Sequence, residues 1–368
     1  MKVNFDREAL SEALNLVTSV VPSKTPKPIL RCVKISTSDE GVRICATDLE
    51  AGINYLIPNV QVDTGGEVVI PGDKLASIVR ESVDEVLGME VTEDKCSIVG
   101  SDSHFTIFTQ EAEQFPAVPR FDGEADIRIT LGNLQDGIEK VLFATAKEST
   151  RYALNGVLWE ISGKKLSLVA TDGRRLAKSR VTLSAAVDKE LAKRKLIIPA
   201  KTMGLLDKIG GSEKDSVEVK LVDNQILISC GEVVISSNLV AGNFPKYEDI
   251  IPTGYQKKLR LSREAVLSAV RRSSLLTSEE SRGIRLSASE GKLVFSGRAP
   301  ETGDAEVQMQ VDYDGEPTEI GFNPQFIMDV LRILDVEEFE FEIAEPDRPG
   351  LIKAGKEFTY VLMPINLG

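Results

Sequence analysis

Apolar positions along the chain change period in a regular order. Residues 7 to about 20 place Leu10, Ala13, Leu14 and Val17 on one stripe behind Asp6, which predicts an N-capped amphipathic helix. A proline-stiffened loop, Pro22-Ser23-Lys24-Thr25-Pro26-Lys27-Pro28, follows and carries two lysines. The period then falls to two: Val33 and Ile35, then Val42, Ile44 and Ala46, are the inward candidates of two strands. A second helix is expected over 72–84, burying Leu75, Ile78 and Val79. Strands resume near Val91, over 97–99 and over 104–109. The stretch LSLVATDGRRLA, residues 166–177, reads as strand, turn and strand. Gly173 supplies the freedom for the reversal, and Asp172 can bond nearby amides.

That stretch has an echo. VRICATDLEAGI, residues 42–53, carries the same Ala-Thr-Asp at a strand end, with Ala46 and Ala170 124 residues apart. Ile70-Pro71, Ile198-Pro199 and Asn323-Pro324 each open an apolar-periodic helix, their prolines 128 and 125 residues apart. Proline fits a helix start because its missing N–H would have had no partner there. Asp6-Arg7-Glu8-Ala9-Leu10 resembles Ser262-Arg263-Glu264-Ala265-Val266 two periods on. Leu134, Ile138 and Val141 repeat the spacing of Leu10, Leu14 and Val17 between them. Helices are accordingly expected over 131–147 and 199–209 in a second repeat, and over 262–275 and 324–334 in a third. A chain of 368 residues with a period near 125 holds three repeats, each too long for a solenoid unit. The expectation is an α+β chain of three domains, 1–122, 123–254 and 255–368, each with two helices on antiparallel strands.

Composition narrows the chemistry. The 42% hydrophobic and 27% charged residues are those of a folded soluble chain, and no apolar run approaches the roughly 18 to 20 residues of a membrane span. MKVNFDREAL lacks the apolar core of a signal peptide, and Cys32, Cys45, Cys96 and Cys230 form no CxxC pair. These features read as a cytoplasmic protein with reduced thiols, no metal and no cofactor. His104 is the only histidine, which removes most histidine-based catalysis and most zinc sites.

Three helix-and-sheet repeats, ATDGRRLA in the middle one and VLMPINL at the C-terminus together resemble the bacterial DNA polymerase III beta subunit, the sliding clamp, from end to end. The resemblance implies a head-to-tail homodimeric ring with sheets outside and helices lining a hole around duplex DNA. It also implies that the ring tethers the replicative polymerase and has no catalytic site of its own.

Net charge is −13, against bulk attraction to nucleic acid. The six expected helices nevertheless sum to +1 and the rest of the chain to −14, the direction that a helix-lined hole requires. Sliding needs only shallow phosphate contacts without base reading. Lys24, Arg151, Tyr152 and Lys201 match basic or aromatic DNA-contact positions of the family, while Ala153 stands where some members carry a second tyrosine. Arg271 and Arg272 are added on helix charge alone, with solvated surface charge as the alternative.

The resemblance further implies a peptide pocket between domains two and three, taking short linear motifs from the polymerase, the loader and other clients. Its matching positions in the middle repeat are Leu154, Thr171, Gly173, Arg174, Arg175 and Leu176, with Pro245 and Ile250 beyond them. The C-terminal segment adds Val361, Leu362, Met363, Pro364 and Ile365. Apolar walls suit a leucine or phenylalanine anchor, adaptable Met363 suits many clients, and Gly173 and Arg175 are candidate polar partners. Taken singly, Leu154 or Leu176 is an ordinary core residue. Asp249 stands where a basic residue is common and Ser281 where a larger ring is. Phe105 and Ile107 on an expected edge strand, with Leu275 and Leu276 at a helix end, match dimer-interface positions. An apolar edge is a hazard unless it is paired.

Two rivals remain at this point. Asp48 and Asp172 have the carboxylates of a metal-dependent nuclease, but no DxD pair or acidic cluster accompanies them, so turn-capping is the expectation. A scaffold ring that never encircles DNA is the other.

Overall fold

In a computed structural model, residues 1–147, 151–277 and 283–367 are described; Ser281 lies outside them. Among the described residues there are six α-helices: α1 (Arg7–Val17), α2 (Gly72–Glu81), α3 (Leu131–Leu142), α4 (Ala200–Leu206), α5 (Arg263–Ser273) and α6 (Pro324–Ile333). All strand pairs are antiparallel, in sheets of five, eight, eight and four strands, the α+β arrangement expected.

Local chemistry sets these helices. Asp6 Oδ1 accepts the Ala9 amide at 2.8 Å, and Glu8 adds negative charge to the first turn. Leu10, Ala13, Leu14 and Val17 are buried, each large side chain contributing about 1.5–3 kcal/mol. The helix stops short of residue 20: after Thr18 the amides of Ser19 and Val20 switch to the tighter bonds to Leu16 O (3.1 Å) and Val17 O (3.4 Å). α4 likewise ends at Leu206, and residues 207–209 close with tighter bonds such as Ile209 N to Leu206 O, 3.3 Å. Pro71 and Pro199 are each the last residue of a strand, immediately before α2 and α4, whereas Pro324 is the first residue of α6.

The chain gathers into two compact units. One holds residues 1–133, 183–188 and 201–239, with the five-stranded sheet and one eight-stranded sheet; the other holds the rest. In the first unit, Ala51–Ile57 of the first repeat pairs with Val233–Asn238 of the second, Ile53 opposite Ile235. In the second unit, Arg175–Thr182 of the second repeat pairs with Phe358–Leu362 of the third, Leu176 opposite Val361. Successive repeats are therefore joined by a continuous sheet, which satisfies the backbone of what would otherwise be two free edges. Among the described residues, edges without a further strand remain at His104–Phe108, which ends the five-stranded sheet, and at Gly303–Gln310, which ends the four-stranded one.

Candidate functional site

The joint between the second and third repeats is built on the turn at 171–175. The Thr171 hydroxyl accepts from Gly173 N at 3.1 Å and donates to Arg175 O at 2.6 Å. Asp172 Oδ1 accepts the Arg174 and Arg175 amides at 2.9 and 3.0 Å, so this carboxylate caps the turn as expected. Gly173 sits at φ +87°, where an L side chain is strained. The Arg174 carbonyl then receives the Met363 amide at 3.0 Å, fixing the start of the C-terminal segment.

Arg175 is held almost wholly inside the protein, its side chain 10% exposed. Its guanidinium donates to Asp172 Oδ2 (3.0 Å), Asp329 Oδ2 (2.7 Å) and Phe143 O (2.8 Å), and lies 4.4 Å from the Phe326 ring centre. Burial works against its charge, but the Asp329 bond and the interactions with Tyr360 and Asp172 together outweigh burial, and the pKa rises. Its contribution is therefore to hold the joint rather than to present free donors, a departure from the polar-partner expectation.

The remaining candidate pocket residues separate by depth. Leu154, Thr171, Leu176, Val361 and Leu362 are buried and form the sheet and its underside, whereas Met363 and Ile250 are more than a third exposed. Leu176 and Val361 pack in one apolar cluster with Ala153 and Tyr247, and Phe244 and Ile251 lean on it. Pro245 lies in the same segment, and Asp249 is exposed. Tyr247 donates to Glu160, and the Lys178 ammonium lies 3.1 Å from the Tyr247 oxygen. Burial raises the Tyr247 pKa, with the Glu160 bond adding to it. Burial would raise Glu160 too, but bonds from Lys195 and Tyr247 prevail and its pKa falls. This polar hook fastens segment 244–251 to the sheet, and nothing in the hydrophobic pattern announced it.

Met363, Pro364 and Ile365 also line a cavity of about 700 Å³, walled opposite by Arg285, Glu319, Gly321 and Asp347. The segment stays close to strand Thr318–Phe322 because Ile365 N donates to Gly321 O at 2.8 Å. A Cβ at Gly321 would stand 2.4 Å from Ile365 O, so only glycine lets the two segments lie this close.

Lys24, Arg151 and Tyr152 are exposed, Tyr152 at 73%, and so are Arg271 and Arg272 in the last turn of α5. Lys201 is different: its ammonium is bound to Asp48 Oδ2 (2.5 Å) and Val20 O (3.0 Å). Of the edge-strand candidates, Phe105 is 39% exposed, but Ile107 is buried at 8% within its own sheet. Leu275 is 76% exposed, while Leu276 is half-buried. Phe108 on the same edge strand is 68% exposed. Among the described residues, no cluster of His, Cys, Asp and Glu is arranged to hold a metal, and no helix is long and apolar enough to cross a membrane.

Three helix-and-sheet repeats joined edge to edge, with two helices each, define the DNA-clamp class of protein. Residues 1–119, 128–246 and 248–366 match, in order, the N-terminal, central and C-terminal domains of the DNA polymerase III beta subunit. The beta sliding clamp of Pseudomonas putida is 33% identical over 373 residues, all of both chains, and that of Pseudomonas aeruginosa 32% over 370. The solved sliding clamp from Pseudomonas aeruginosa bound to griselimycin superposes with a TM-score of 0.93 at 31% identity, covering 100% of both chains. The clamp from Bacillus subtilis gives 0.93 at 26%, covering 100% of this chain and 99% of the other. The chain belongs to the beta sliding clamp family, the DNA polymerase III beta subunits. It is a processivity factor of DNA replication: a non-catalytic subunit of the polymerase holoenzyme, to which any transferase activity belongs.

Proposed function

We propose that two copies of this chain close head to tail into a ring around duplex DNA, and that the joint between the second and third repeats receives peptide motifs of the replicative polymerase, the clamp loader and other clients. The proposed domains run over 1–122, 123–254 and 255–368, and the site of action is the cytoplasm. The observation that carries the reading is the repeated joint. Two sheet junctions within the chain use equivalent strands, and the third repeat is left with a free edge at Gly303–Gln310, as the first is at His104–Phe108. Unpaired edges on a soluble chain call for a partner, and a second copy offers each the other's complement. Phe105, Leu275 and Leu276 provide exposed or half-buried apolar surface for that contact, with Ile107 as the packed inner side of the edge.

The DNA contacts proposed are Lys24, Arg151, Tyr152, Arg271 and Arg272, with Lys201 contributing only as far as it can leave Asp48. Exposed cations on an otherwise acidic chain suit sequence-independent phosphate contact, and topological closure lets weak contacts suffice. In the pocket, Ile250, Met363, Pro364 and Ile365 offer the apolar surface, above a floor of Leu154, Thr171, Leu176, Val361 and Leu362. Pro245, Gly173 and Arg174 form its rim, and Arg175 holds it in place.

Loading the protein onto nicked circular DNA with a clamp loader, then cutting the circle, tests the reading. Retention on the circle and loss from the linear form is expected. Equal retention on both would exclude a topological tether, and metal-dependent cleavage would favour the nuclease alternative.

A further inference from the structure

The Ala-Thr-Asp turn occurs twice, and equivalent atoms make equivalent bonds in both places. Thr47 accepts from Leu49 N at 2.9 Å and donates to Ala51 O at 2.7 Å, as Thr171 does with Gly173 and Arg175. Asp48 Oδ1 accepts the Glu50 and Ala51 amides at 2.9 and 2.8 Å, as Asp172 Oδ1 accepts those of Arg174 and Arg175. The Glu50 carbonyl takes the Asn238 amide at 2.9 Å, just as the Arg174 carbonyl takes that of Met363. Asn238 and Met363 each stand at the end of the strand that the next repeat contributes to the joint.

A hairpin needs only Oδ1 for its cap. In both turns Oδ2 faces a cation as well, and here the two joints diverge. At the first, Lys201 of the second repeat reaches Asp48 and Val20 O in the first repeat. At the second, Arg175 bonds Asp172 and then Asp329 on α6 of the third repeat, with the Phe326 ring 4.4 Å from its guanidinium. Asp329 is itself oriented, since Oδ1 accepts Gln325 Nε2 at 2.5 Å.

We infer that this turn is a latch at each joint, and that at the second joint Asp329 and Phe326 are positioning residues for client binding. They act through Arg175 on the adjacent Arg174 carbonyl, and so on Met363. The inference rests on the pocket reading above. A planar, fixed fork is what the arrangement requires: one guanidinium meets two carboxylates, a carbonyl and a ring face at once, which an ammonium cannot do. Without Asp329, a guanidinium 10% exposed loses a charged acceptor and turns toward water. Its neighbouring carbonyl then no longer holds the Met363 amide.

The test uses the full-length dimer and a short fluorescein-labelled peptide carrying leucine and phenylalanine, read by anisotropy. Asp329→Asn and Arg175→Lys are each expected to weaken peptide binding about tenfold, the effect of one charged hydrogen bond. Asp48→Asn is the control, because it weakens the carboxylate–cation bond of the first-joint turn, the counterpart of Asp172–Arg175, and leaves the second joint untouched. It is expected to lower the melting temperature while leaving peptide affinity within about twofold. If Asp329→Asn does not fold, the comparison stands on Arg175→Lys. Peptide affinity unchanged in the folded second-joint variants, or reduced equally by Asp48→Asn, would overturn the latch. Deleting residues 363–368 separates the two readings. If the deletion leaves peptide binding intact, the pocket reading has failed; if it abolishes binding while Asp329→Asn and Arg175→Lys do not weaken it, the latch alone has failed.

Discussion

Gly321→Ala gives a quantitative test of how the C-terminal segment is held. The new Cβ would lie 2.4 Å from Ile365 O and 2.7 Å from Leu367 Cγ. An ordinary carbon–oxygen contact needs about 3.3 Å, so the segment has to lift by about 1 Å. The Ile365 N to Gly321 O bond is 2.8 Å, and such a lift carries it beyond hydrogen-bond reach. Losing it costs about 0.5–1.5 kcal/mol, and loosening half-buried Ile365 and Leu367 adds to that. Met363 is two residues upstream, so the disturbance falls on the proposed peptide surface rather than on the domain core. A total of about 1–2 kcal/mol corresponds to roughly fivefold to thirtyfold weaker peptide binding. Alanine is otherwise no worse than glycine in a strand, so the melting temperature should hardly move. Fluorescence anisotropy with a labelled peptide, alongside sedimentation to confirm the dimer, measures both. An affinity within twofold of the parent would refute the reasoning, showing that the segment need not lie on Gly321 for the pocket to form.

Replacing Leu275 and Leu276 together by glutamate is expected to give monomers in sedimentation velocity, since charge would then occupy the apolar surface proposed to meet a second copy. An unaltered dimer would remove that assignment. Lys24, Arg271 and Arg272 changed to alanine should shorten retention on nicked circular DNA and flatten its salt dependence, with no change in peptide affinity. Glu160→Gln tests the polar hook. The folded pKa of Glu160 lies below its unfolded value, so its stabilisation is present above about pH 4.3 and is lost as pH falls through the folded value. The melting-temperature gap between parent and variant should therefore be widest near neutrality and close in acid. A gap that widened in acid would contradict the sign.

Much of the architecture was legible in the sequence because it depends on local rules. Asp6 caps its helix as read, and Leu10, Leu14 and Val17 fall on the buried face that their spacing announces. Helix ends were less legible. They depend on where the last turn tightens, as it does at Ser19 N to Leu16 O and Ile209 N to Leu206 O, which hydrophobic spacing does not record. The turn at 171–175 was readable as a cap, but the second oxygen of Asp172 was not, because its partner Arg175 also bonds a residue 154 positions away.

The sequence by itself determined the threefold repeat, the helix faces, the caps and the turn chemistry, all of which rest on contacts within a few residues. Only the tertiary structure decided which strands join successive repeats, that Lys201 and Arg175 are bound internally, and that the Tyr247–Glu160 hook holds segment 244–251 to the sheet. Those outcomes pair groups far apart in the chain, and the free energy of a buried charge or hydrogen bond depends on partners that no local pattern records.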